Sequence, residues 1–162
     1  MEPIRYVDAL NAKYGEMGFP PYKWSVNDDA PWTPLNKPLA ECTVALLASG
    51  GISHCSVEPF NPDARNDHRV DAIDPATPTD SYQVHDSYYD VTDVGRDINC
   101  VFPIDRLNEL AAAGEIGQVA ARHWSGFMGR TYDRTRLTTE SAPAFVTELQ
   151  ADNVDLLIAI PA

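Results

Sequence analysis

Cys42-Thr-Val-Ala-Leu-Leu-Ala48 is a nearly uninterrupted apolar run, closed at once by Ser49-Gly50-Gly51. Such a run has no polar side to turn toward water, so it predicts a strand covered on both faces, as in a parallel sheet. Val154-Asp-Leu-Leu-Ile-Ala-Ile160 repeats the pattern at the far end and predicts a final buried strand. Between them, Arg69 to Ile73 predicts a short strand closed by Asp74-Pro75, and Asp97 to Phe102 predicts another. Pro103 suits the first turn of a helix, where its missing N–H would have had no partner. Leu107, Leu110 and Ala111 then form one face, and Gly114 supplies the stop. A second helix opens near Ser141-Ala-Pro143, with Phe145, Val146 and Leu149 facing inward, and ends before Asp152-Asn153. Strands alternating with helices point to an α/β fold with crossover connections: a Rossmann-like three-layer domain with a mostly parallel sheet.

The first 38 residues read differently. Ile4, Val7, Leu10 and Tyr14 fall at helical spacing and predict a short amphipathic helix over Ile4 to Met17. Gly18 to Pro38 carries Pro20, Pro21, Pro31, Pro34 and Pro38 with Trp24 and Trp32, too many prolines for a helix or a central strand. That stretch predicts an extended arm packing through its aromatics. The expected division is therefore 1–38 for helix and arm, and 39–162 for the α/β domain. A chain of 162 residues with 24 acidic against 12 basic side chains has a formal charge of −12. That balance argues against a nucleic-acid partner or an anionic membrane surface, both of which call for basic stripes. No apolar run approaches the roughly 20 residues that span a bilayer. Three cysteines, Cys42, Cys55 and Cys100, are too few for a secreted disulfide framework, and a reducing cytoplasm is the expected compartment.

In open α/β sheets ligands bind beyond the carboxyl ends of the strands. That rule nominates the Ser49-Gly50-Gly51-Ile52-Ser53-His54 segment, whose glycines let backbone amides approach a carboxylate, or simply make a tight turn. It also nominates Gln83 to Asp90, where His85 could act as general acid or base among Ser87, Tyr88 and Asp90, or be a hydrogen-bonded structural residue. Arg122 to Gly129 is a third segment, read as a glycine-containing loop with His123, Met128 and Gly129, or as a packed aromatic turn. No cysteine or histidine pairing has zinc-ligand spacing, so no metal site is expected. Cys42 and Cys100 fall in expected buried strands, where a thiol is usually inert, which leaves Cys55 as the one thiol to test.

Taken in order, several of these segments resemble the selenoprotein B family of glycine, sarcosine, betaine and D-proline reductases. The resemblance runs from about Lys37 to the last residue. It is carried by Lys37-Pro38-Leu39 leading into Cys42-Thr-Val-Ala-Leu-Leu, the Ser49-Gly50-Gly51-Ile52 turn and the His85/Tyr88-Tyr89-Asp90 cluster. Its most specific stretch is Asp97-Ile-Asn99-Cys-Val-Phe102-Pro103-Ile-Asp105-Arg106-Leu107, followed by Gly114-Glu-Ile-Gly117. His123 with Phe127-Met128-Gly129 and Val154 to Pro161 complete it. Glu58 to Thr79 matches poorly, and Gly126 looks like an insertion.

The resemblance implies reductive cleavage of a C–N bond at the α-carbon of a small amino acid or amine. It implies a selenolate as nucleophile, a pyruvoyl group on a partner subunit, a thiol reductant, and other reductase subunits or further copies of this chain as partners. It also implies substrate contacts from Ser49, Gly50, Gly51, Ser87, Tyr88, Asp90, Asn99, His123, Met128 and Gly129, with His85 delivering a proton. This chain itself is expected to carry no cofactor. In the family, selenocysteine or cysteine follows the strand resembling Val154 to Pro161, so the reactive residue is expected just after Ala162. The 162 residues are then expected to be the front part of a longer protein, inactive by themselves. Two rival readings stand beside this one: a non-catalytic α/β binding module formed by a shortened paralogue, and a nucleotide- or flavin-type domain using the Ser49-Gly50-Gly51 turn.

Overall fold

The computed structural model describes residues 5–21 and 28–161 and divides the chain into two units, Met1–Pro34 and Leu35–Ala162. In the first unit, α1 (Tyr6–Glu16) forms where helical spacing predicts it, and Tyr14 meets Phe19 edge to face at 6.1 Å. Its apolar side is not buried within that unit, where Tyr6, Leu10 and Tyr14 are all exposed. Ile4 and Trp24 lie outside the described residues. Trp32 is 85% exposed, so the expected packing of the arm through its aromatics is not found at this residue.

The second unit is mixed α/β. Its strands are β1 (Thr43–Ala48), β2 (Ile52–His54), β3 (Val70–Ile73), β4 (Tyr82–Val84), β5 (Gln118–Val119), β6 (His123–Gly126) and β7 (Leu156–Ile160). Helix α2 (Ile104–Ala112) precedes β5; a helical turn α3 (Arg134–Arg136) runs through a π turn, Leu137–Ser141, into α4 (Ala142–Ala151). β1 is the hub of a mostly parallel sheet. It pairs in parallel with β7 on one side, and on the other with β5 at Thr43–Val44 and then β6 at Leu47–Ala48. β3 joins the far edge of β6 antiparallel, and β2 and β4 form a separate antiparallel ribbon.

The apolar run of β1 is explained by cover on both faces. Val44, Leu46 and Ala48 pack with Ile52, Phe102, Ile104 and Leu107, whereas Ala45 turns to Trp124, Ala120 and Phe145 of the opposite side. Alternation along a strand puts successive side chains on opposite faces, so a strand covered twice must be apolar at every position. Gly126 answers a steric demand of β6: a Cβ there would stand 2.5 Å from the Arg69 carbonyl oxygen and 2.8 Å from the Val70 Cα.

Several expectations are corrected. Asp97 to Phe102 is no strand; Asp97 accepts the Asn99 amide and starts a 3-10 turn, Ile98–Cys100. A short carboxylate that bonds two residues ahead competes with the extended ladder, and here it wins. Cys100 is consequently exposed and not buried, while Cys42 is fully buried as expected. His123–Gly126, read as part of a loop, is a fully buried strand. Leu110 and Val146 face outward, at 44% and 46% exposure. β7 forms but no residue of it is fully buried, because among the described residues its only strand neighbour is β1. No helix among the described residues is long and apolar enough to cross a membrane.

Asp155 ties the start of β7 to the start of β1. Its carboxylate accepts the Thr43 amide at 2.7 Å and the Lys37 ammonium at 2.6 Å, while its own amide donates to the Thr43 carbonyl at 2.9 Å. The bond from Lys37, then that from Thr43, holds this carboxyl below its ordinary value of 3.8. A depressed folded value means stability that is fully present above about pH 4 and lost as pH falls through the folded value. Asp155→Asn is therefore expected to lower stability at neutral pH and to flatten its loss on acidification below pH 4. Urea unfolding midpoints from pH 7 to pH 3 test this, and parallel curves for the two proteins would refute it.

Candidate functional site

Parallel pairing brings the carboxyl ends of β1, β6 and β7 to one edge, and the segments that follow these strands meet there. Leaving β1, the Ser49 amide donates to the Ile160 carbonyl of β7 at 3.1 Å. The Gly50 carbonyl accepts the Tyr89 hydroxyl at 2.8 Å, and the Gly51 carbonyl accepts the His85 amide at 2.9 Å. Gly51 has φ +70°, and a Cβ there would collide with the His85 carbonyl group and lie 3.2 Å from the Met128 methyl. Ser49, Gly50, Gly51, His85 and Met128 are thus brought together. Tyr89 joins them; nothing in the sequence separates its hydroxyl from that of Tyr88 until the Gly50 contact is seen. Burial, and then Asp86, push the Tyr89 phenol up to about 12, so it remains a proton donor at physiological pH.

Beyond β6 the chain turns sharply. Phe127 (φ 51°) and Arg130 (φ 63°) both occupy the left-handed region without being glycine, a conformation that costs about 1–3 kcal/mol and must be held by its surroundings. Phe127 is held edge to face against Phe145 at 5.6 Å, and the Arg130 carbonyl accepts the Asn66 amide at 3.2 Å. Between them Met128 is buried, its carbonyl accepting the Thr131 hydroxyl at 3.0 Å, and Gly129 is exposed.

The remaining candidates lie elsewhere or are committed to structure. His85 is exposed, with its imidazole on the surface of the loop. Ser87, Tyr88 and Asp90 are exposed too; Asp86 accepts the Tyr88 amide and Asp90 the Thr92 amide, so the loop is a pair of side-chain-capped turns. The bonds from Thr92, side chain first and then backbone, hold the Asp90 carboxyl below its ordinary value. Asn99 donates to Asp97 and Asp105 at 2.8 and 2.9 Å and accepts the Asp105 amide at 3.0 Å, spending its whole amide on the entry to α2.

His123 has no exposed surface. Its Nδ1 accepts the Leu46 amide at 3.1 Å, its ring meets Phe102 edge to face at 5.9 Å, and its Nε2 is buried without a partner. Burial drives its pKa down to about 4, so the ring is neutral across the physiological range.

Three surface concavities of about 460, 500 and 480 Å³ lie away from this edge. One lies along β3 by His54 and Tyr82, another between β3 and α4 by His68 and Ser141, and the third beside Asp97 and Asp105. None is lined by Ser49, Gly50, Gly51, His85 or Met128. The strand-end rule outweighs cavity size here, because crossover topology makes that edge the place where backbone groups from several strands terminate together. His68, absent from the sequence-derived candidates, bonds to the Ser141 hydroxyl at 2.8 Å. Among the described residues, no group of three or more His, Cys, Asp or Glu side chains could hold a metal ion.

The second unit is thus a mostly parallel α/β unit whose strand-end turns are shaped by Gly51 and by the left-handed residues Phe127 and Arg130. The chain belongs to the glycine/sarcosine/betaine reductase selenoprotein B family, whose model matches residues 4–161. It is 33% identical over 127 residues to D-proline reductase subunit gamma of Acetoanaerobium sticklandii, covering 78% of this chain and 51% of that one. It is 28% identical over 163 aligned positions to glycine reductase complex component B subunit gamma of Carboxydothermus hydrogenoformans, covering 95% of this chain and 36% of that one. The chain thus spans about half, or less, of the length of these curated relatives. No solved structure matches it.

Proposed function

We propose that this chain is the front portion of a selenol- or thiol-dependent reductase subunit that cleaves a C–N bond of a small amino acid or amine of the glycine, betaine, sarcosine or D-proline type. The observation that carries the reading is the junction of β1 and β7, where the Ser49 amide meets the Ile160 carbonyl at 3.1 Å. It sets the end of β7 beside a turn that the Gly51 backbone and Tyr89 keep narrow. In the full-length protein a selenocysteine or cysteine following Ala162 would leave β7 at this edge, supplying a reactive selenol or thiol next to the Ser49–Gly51 amides. The pyruvoyl group implied by the family would belong to a partner subunit. A Rossmann-like arrangement is the fold we assign to the whole domain, and a reducing cytoplasm suits its three free cysteines.

The geometry supports a role for several of this chain's own residues. The Gly50 and Gly51 amides orient a substrate carboxylate. Met128 closes the apolar side of the turn. His85, exposed and tethered through its backbone to Gly51, carries a proton to the departing amine. Replacing His85 with Ala in the full-length, active reductase is expected to lower turnover about 100-fold, the range of a positioned general acid, with KM changed far less. Unchanged turnover would remove His85 from the mechanism. The alternative, a non-catalytic binding module, is favoured by one observation: Asn99 spends its amide on internal bonds and His123 has no exposed surface to offer a substrate. Loss of turnover in His85→Ala would count against it.

A further inference from the structure

The strand beside β1 is broken. β5 pairs with Thr43 and Val44, and the Ala120 amide still reaches the Val44 carbonyl at 2.9 Å, but pairing resumes only at Leu47 with Trp124 of β6. The Leu46 amide falls in this interruption, deep in the core, where an N–H left unpaired keeps its full desolvation penalty. The His123 imidazole takes it, Nδ1 standing 3.1 Å from the Leu46 nitrogen. An Nδ1 that accepts a hydrogen bond carries no proton, so the neutral ring bears its hydrogen on Nε2. That Nε2 is buried without a partner, as is the hydroxyl of Ser125, which shares the same face of β6 two residues on. The ring is kept in place from the side by Phe102.

We propose that His123 is a positioning residue, a tautomer-locked clamp that joins β1 to β6 across the break and so fixes the Ser49–Gly51 turn against the Met128 loop. Its functional meaning rests on the reading of that edge as the substrate site; the clamp itself stands on the Leu46 bond. Only two residues separate Leu46 from Ser49, and four separate His123 from Met128, so a shift at the clamp is passed along two short strands to both sides of the turn. The residue does not touch substrate, since it has no exposed surface.

The chemistry at Nδ1 selects the variants. Asparagine places its carbonyl oxygen at the same branch as Nδ1 and can accept the Leu46 amide; phenylalanine keeps the ring and loses the acceptor. In the wild-type chain, side-chain nitrogen NMR is expected to show an Nε2–H tautomer. His123→Phe is expected to speed hydrogen exchange at the Leu46 amide about tenfold, relative to the Ala45 and Leu47 amides, and to move the Gly50, Gly51 and Met128 resonances. His123→Asn is expected to restore both. An Nδ1–H tautomer overturns the clamp even if the phenylalanine variant fails to fold, as does an unchanged Leu46 exchange rate in a folded one. Titration of the same samples with glycine, betaine, sarcosine and D-proline separates the two readings. Silence of the wild-type Gly50 and Gly51 amides counts against the substrate site, whereas the clamp is decided at Leu46.

Discussion

Gly51→Ala is expected to destabilise the second unit by about 3 kcal/mol or more, lowering its Tm by roughly 6–12 °C. Two costs add. The backbone at Gly51 has φ +70°, where a Cβ alone costs about 1–2 kcal/mol. The new methyl would also overlap the His85 carbonyl oxygen, with the carbonyl carbon only 2.8 Å away, and the obstacle is backbone that cannot swing aside. Relief requires β4 to move off β2, which breaks the His85 amide to Gly51 carbonyl bond and disturbs the Ile52–Val84 pairing next to it. The Tyr89–Gly50 bond sits in the same junction. Thermal and urea unfolding of the variant measure the total, and a loss under about 1 kcal/mol would mean that the two segments are not pressed together as described.

Phe102→Ala is expected to cost about 3–5 kcal/mol, the usual range for removing a fully buried aromatic ring. Phe102 has no exposed surface and lies at the crossing of three elements, with ring contacts to Tyr82 of β4 at 6.4 Å and to His123 of β6 at 5.9 Å. Deleting the ring leaves a cavity beside an imidazole whose Nε2 already lacks a partner, and water entering there would relieve that nitrogen. The cost should therefore be non-additive with His123→Phe, because the two substitutions act on one contact. Phe102→Leu, which keeps most of the volume, is expected to lose less than half as much. Equal losses for leucine and alanine would show that packing volume is not what Phe102 supplies.

What the sequence made legible was the set of elements whose signal is local. The apolar run of β1, the proline and glycine that bracket α2, and Phe145 with Leu149 on α4 each follow from composition over a few residues. What escaped depended on a local side-chain competition in one place and on contacts distant in sequence elsewhere. Asp97 to Phe102 reads as a strand through Ile98, Val101 and Phe102, but the Asp97 carboxylate reaches the Asn99 amide first. His123 to Gly126 looks like a loop because it contains a glycine, and only the approach of Arg69 and Val70 explains why a glycine must stand in a buried strand. The same holds for the site. Glycines at the end of β1 mark the edge, whereas the burial of His123 and the use of the whole Asn99 amide in starting α2 arise from partners that no spacing rule selects.

The placing of β1 at the hub of the sheet has a consequence for how the chain matures during synthesis. Its neighbours on one side arrive with residues 118–126, and those on the other only with 156–160. The Thr43 amide waits for an acceptor 112 positions downstream. Contacts of that separation slow folding because a long loop must close before any pairing repays it. An emerging polypeptide would therefore leave the ribosome with one edge of the apolar β1 strand unpaired until β7 has cleared the exit tunnel. That interval is when a holdase has something to protect, and pausing translation between α4 and β7 would prolong it.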